Sequence, residues 1–195
     1  NLIRERLKYV CSCEGYTNYE ESCDYISKIC NGGVRDSLAM LEKCSGYSTD
    51  ICISNVLQAL GNFSYNVFFS LTNAIIDGDE KTIVKTIEDS FDKGEDLKQF
   101  ASQYLEFLLD LEKYCLFKDI SETRLPSSLE LVRDEYGRPS PLCVKFATGF
   151  ENNAQTFNIC TNAVLDVVTR LKTDPYPKTT LIIQLVALSK KLEGN

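Results

Sequence analysis

Between Gly94 and Phe117, the residues Leu97, Phe100, Tyr104, Leu108, Leu111 and Cys115 recur at spacings of three and four. Side chains so placed fall on one stripe of an α-helix and would scatter over both faces of a strand, so this stretch predicts a long amphipathic helix. The same period returns along most of the chain. It marks residues 2–13, 19–30, 34–44, 54–60, 65–76, 80–92, 152–172 and 179–192, and no segment alternates with period two convincingly. An all-α fold is therefore expected.

The punctuation agrees with that pattern. Gly15, Gly61 and Gly94 each follow a periodic segment, and Asp77-Gly78-Asp79 is a turn signal by composition. Asn18 and Glu21 have the spacing of a variant capping box, which predicts Asn18 as the N-cap of the second helix, and Ser54 is expected to cap the fourth. Residues 118–141 lose the period and hold Pro126, Pro139 and Pro141. They are expected to form a long connection, with a short helix over Ser127–Arg133 and a hairpin across Arg133–Phe146 as an open alternative.

Residues 30–44, CNGGVRDSLAMLEKC, contain the most chemically suggestive local pattern. Gly32 and Gly33 offer φ > 0 and open a helix whose inward side is Leu38, Leu41 and Cys44, which sets Arg35 in its first turn. A cation there opposes the helix dipole by about 0.3–1 kcal/mol, and an anion bridging Arg35 to the open N–H groups would relieve the conflict. Asp36 also suits the dipole, and an arginine that simply points into solvent is the commoner arrangement.

Gly32-Gly33-Val34-Arg35-Asp36-Ser37-Leu38 resembles the GG-x-RD-A/S-L signature of the gamma/tau family of bacterial DNA polymerase III, AAA+ clamp-loader ATPases. Arg6-Leu7, Tyr9-Val10-Cys11, Glu14-Gly15, Tyr19-Glu20, Leu41, Leu60-Gly61 and the Gly94-x-Asp96-x-x-x-Phe100 segment are similar to that family in order and spacing. The likeness is close through about residue 61, weaker to about 117 and faint beyond. It implies a three-helix AAA+ lid-like segment over residues 1–48 and a helical collar for oligomerisation over 49–195. It further implies that Arg35 is the sensor-2 residue that grips nucleotide phosphates, supported by Gly32 and Gly33. The implied partners are other clamp-loader subunits through the collar, and the sliding clamp and primer-template DNA through the whole assembly.

The chain does not start with methionine and opens within a helical pattern, so a fragment of a longer parent is expected. No G-x-x-x-x-G-K-[ST] loop occurs. The resemblance implies ATP as a ligand of the parent, and without that loop no catalytic residue and no cofactor are expected in the fragment by itself. Residues 49–117 hold five Lys/Arg against twelve Asp/Glu, which disfavours broad direct contact with a phosphate backbone.

Nine cysteines without a Cys-x-x-Cys or any histidine make a metal site improbable. Many of them fall at apolar helical positions, as expected of reduced thiols in a cytoplasmic protein. Two other classes of function stay open. One is a helical protein–protein adaptor with no nucleotide role; the other is an enzyme using carboxylates or a reactive cysteine, which requires a thiol of depressed pKa beside Lys or Arg.

Overall fold

The computed structural model describes residues 2–30, 33–117, 119–127 and 154–193. Among these the regular structure is helical, with nine α-helices, one 3₁₀ turn and no strand. The all-α expectation holds. Helices α1 (Leu2–Glu14), α2 (Glu20–Ile29), α3 (Val34–Tyr47) and α4 (Ile53–Leu60) are followed by α5 (Tyr65–Asp77), α6 (Glu80–Asp92) and α7 (Leu97–Phe117). After a 3₁₀ turn at Ile120–Glu122 come α8 (Ala154–Leu171) and α9 (Pro177–Glu193).

These helices form two compact units. The first runs from the N-terminus to Ser64 and resumes at Asp119; the second comprises α5, α6, α7, α8 and α9. In the first unit Leu7, Cys11, Cys23, Ile26, Leu41, Cys44, Ile51, Val56 and Leu57 are buried, so α4 packs with α2 and α3. The compact unit therefore ends at Ser64, whereas the family resemblance divides the chain at residue 48. The amphipathic pattern of α4 supplies an inward face without naming the neighbour that covers it.

Local polar contacts fix the first unit. Thr17 N–H donates to the Thr49 carbonyl at 3.1 Å, and Ile51 N–H donates to the Thr17 carbonyl at 2.9 Å. This pairing fastens the α1–α2 connection to the α3–α4 connection. Asn18 departs from expectation: it adopts φ 53 outside the helix and its amide donates to Asp50 Oδ1 at 2.9 Å. Tyr19 takes the N-cap position with no side-chain cap. Asparagine tolerates the left-handed region, and here a partner 32 residues away in sequence outcompetes the local capping box.

Ser54 is likewise not a cap. Cys52 precedes α4, and Ser54 lies inside the first turn with its hydroxyl 3.2 Å from the Cys52 sulfur. At the other end Gly61 has φ 75, and Asn62 N–H reaches the Leu57 carbonyl at 2.8 Å, closing the helix as expected. Of the connection after residue 117, the described part holds the turn at Ile120–Glu122 and buried Thr123 and Leu125. Nearly all of the Ser127–Arg133 helix and the whole Arg133–Phe146 hairpin fall outside the described residues.

The second unit is centred on aromatic rings. Phe68 lies 5.4 Å from Phe100, 5.5 Å from Tyr104 and 5.5 Å from Phe107 between ring centroids, and Phe69 meets Phe107 edge-on at 4.9 Å. These rings join α5 to α7, as the stripe on α7 predicts. Within the cluster the Thr72 hydroxyl donates to the Phe68 carbonyl at 2.8 Å and lies 3.0 Å from the Tyr104 hydroxyl. Helix α8 runs antiparallel to α7, with Lys98 Nζ near the Lys172 carbonyl at one end and Asn158 bonded to Glu112 at the other. Helix α9 packs on α5 through a buried Ser189 hydroxyl that donates to the Ile75 carbonyl at 2.9 Å.

Candidate functional site

The start of α3 is where the sequence places its chemistry. Gly33 is the N-cap, with φ −91 and ψ 118, so Val34, Arg35 and Asp36 occupy the first three helical positions. The expected φ > 0 is not used at residue 33, whose extended backbone any residue could adopt; Gly32 lies outside the described residues. What Gly33 contributes is room. A Cβ there would lie 2.9 Å from Asp36 Oδ2, because the Asp36 carboxylate folds back toward the helix start.

Register explains the rest of the turn. Ser37 is fully buried and its hydroxyl donates to the Val34 carbonyl at 2.8 Å, while Leu41 and Cys44 continue the inward face. Arg35 lies two residues from Ser37, about 200° around the helix, and is therefore directed outward. It is exposed, and no hydrogen bond or ion pair joins it to another described residue. The guanidinium thus keeps its five donors for an external acceptor. The helix N-terminus is less open: its positive end faces the Asp36 carboxylate, so an incoming anion would meet Arg35 with an acidic neighbour beside it. Arg35 and Gly33 are brought together, then, in a first turn that no side chain caps and that holds the Asp36 carboxylate close to the helix start.

Over 123 residues the chain is 24% identical to the DNA polymerase III subunit gamma/tau of Mycoplasma genitalium. That alignment covers 62% of this chain and 21% of the relative, so the chain spans about a fifth of the relative's length. No known protein-family profile matches it.

The buried cysteines differ: the Cys11 thiol is lowered from its ordinary value by its hydrogen bond with Cys23, whereas three others are raised. Burial pushes the Cys44 thiol up to about 11, with Lys43 only partly opposing it, and burial pushes Cys160 up to about 12. Cys23 is raised further by its hydrogen bond with Cys11 and by burial. A thiol so shifted is overwhelmingly protonated at neutral pH and acts as core filling. Among the described residues no group of three His, Cys, Asp or Glu side chains could hold a metal ion. Nor is any described helix long and apolar enough to cross a membrane.

One close contact carries no mark in the sequence. Cys11 on α1 and Cys23 on α2 are both fully buried, with their sulfurs 3.7 Å apart. Each falls on the inward side of its helix, and that was the available signal; which inward thiols meet depends on how α1 crosses α2.

Proposed function

We propose that this chain is a clamp-loader-related helical module of bacterial DNA polymerase III, coupling the nucleotide state of a P-loop domain elsewhere in the parent to assembly with neighbouring subunits. The observation that carries it is an outward guanidinium, Arg35, in the first turn of α3 with no partner among the described residues, in a chain similar to a gamma/tau subunit. In this reading α1, α2 and α3 serve as the lid over residues 1–48. The helices from residue 49 onward serve as the collar, which would meet the other subunits.

Arg35 would act as the sensor-2 residue, donating to the phosphates of ATP held by the parent. Charge-assisted hydrogen bonds are worth about 1.5–3 kcal/mol, enough to bias lid closure by one to two decades. Closure would pass through the helices to the subunit ring, which would then open and place a sliding clamp on primed DNA. Gly33 would support this by leaving room for the Asp36 carboxylate beside the helix start.

The test is Arg35→Ala in the full-length parent. ATP-dependent clamp loading and nucleotide affinity should both fall by about ten- to a hundredfold while the helical signal is unchanged. Wild-type affinity and loading in that variant would remove Arg35 from the mechanism.

A further inference from the structure

We propose that Cys11 and Cys23 form a reversible dithiol–disulfide pair that locks α1 onto α2 under oxidising conditions. The two sulfurs stand 3.7 Å apart across the helix pair, and a bond of roughly 2.05 Å needs only a modest approach of two adjacent helices. Three other described thiols are placed differently. Cys30 donates to the Ser27 carbonyl in its own turn, Cys52 meets Ser54, and Cys13 is exposed on the same helix as Cys11.

Buried thiols need a route to an oxidant, and α1 provides it. Of its thirteen residues only Leu7 and Cys11 are buried. Its ties to α2 include an ion pair between Lys8 and Glu20 and a 3.7 Å pair between Arg4 and Asp24, both partly exposed and weak in water, and it also packs on α3. In this proposal α1 opens locally, at a lower free energy than unfolding of the whole unit, and exposes both thiols.

On opening, the Cys11 thiol loses its proton, attacks a low-molecular-weight disulfide and expels one thiolate, leaving a mixed disulfide. As α1 closes, the Cys23 thiolate attacks the Cys11 sulfur and expels the second thiolate. The protein gives up two protons and two electrons, and the small disulfide is reduced to two thiols. Once formed, the bond shortens the chain's freedom in the opened state and suppresses further opening of α1.

The probe is a series of glutathione buffers of increasing oxidised fraction, applied to the intact protein, followed by denaturing alkylation and peptide mapping. A Cys11–Cys23 linked peptide, loss of two hydrogens and restoration by a dithiol reductant are expected. Amide exchange within α1 should slow by roughly tenfold or more, and the thermal midpoint should rise. Cys13→Ser should leave all of this in place and Cys23→Ala should abolish it. If Cys13→Ser protein keeps both Cys11 and Cys23 alkylatable at every buffer ratio, or links either to another cysteine, the proposal is overturned. A formed bond with unchanged exchange in α1 would overturn the locking role.

Discussion

The Thr72–Tyr104 contact makes a sharp quantitative test of the second unit's core. The Thr72 hydroxyl has one proton, and it goes to the Phe68 carbonyl at 2.8 Å; Thr72 Oγ1 must therefore accept from the Tyr104 hydroxyl at 3.0 Å. Both residues are at most 1% exposed, and burial holds the Tyr104 phenol far above its usual pKa. In Tyr104→Phe the threonine keeps its donor bond and loses one incoming bond, a cost of about 0.5–1.5 kcal/mol. Thr72→Val keeps the volume but strands a phenolic proton among Phe68, Phe100 and Phe107, so the full desolvation penalty of about 1–3 kcal/mol applies. The double variant removes the stranded donor and should be close to Tyr104→Phe alone, so it should cost less than the sum of the two single variants by about 1–3 kcal/mol. Urea unfolding followed by circular dichroism and tyrosine fluorescence measures all four corners of the cycle. A Thr72→Val cost below that of Tyr104→Phe, or additive single costs, would refute the assigned direction of the bond.

Other perturbations test other parts of the structure. Gly61→Ala places a Cβ at φ 75 and should destabilise the first unit by more than about 1 kcal/mol, read as a lowered urea midpoint at constant slope. Arg35→Ala should change stability by less than about 0.5 kcal/mol in the same assay, because the side chain is exposed and makes no described contact. Asp79 caps α6, its carboxyl held below the usual 3.8 first by the Thr82 side chain and then by the Thr82 backbone N–H. A depressed folded pKa means that its contribution is complete above 3.8 and disappears as pH falls through the lower folded value, so Asp79→Ala should flatten the acid limb of the stability curve in that window.

Helix positions were legible because their signals are local. Gly15, Gly61, Gly78 and Gly94 all take φ of 72 to 75 where the periodic segments end, and the stripe of Leu97, Phe100, Tyr104, Leu108 and Leu111 is buried as spaced. The last helix begins at Pro177, two residues earlier than the apolar pattern alone indicates, because proline suits a first helical position. Signals failed where a distant partner decided the outcome. Asp50 draws Asn18 out of its capping box. At the candidate site, the sequence period placed Leu38, Leu41 and Cys44 inward, whereas in the structure Ser37 is fully buried beside Leu41 and Cys44. That Gly33 would provide space instead of a positive φ could not be read from the letters, since it depends on the rotamer of Asp36.

The paired backbone at Thr17, Thr49 and Ile51 gives α3 a fixed base, while no side chain caps its opposite end at Gly33. Arg35 and Tyr47 are twelve residues apart along that helix, a rod of about 18 Å. A tilt of about 10° at the anchored end would sweep the arginine through roughly 3 Å, the span of one hydrogen bond. A small pivot where two loops are stitched together is thus sufficient to make or break a contact at the far tip.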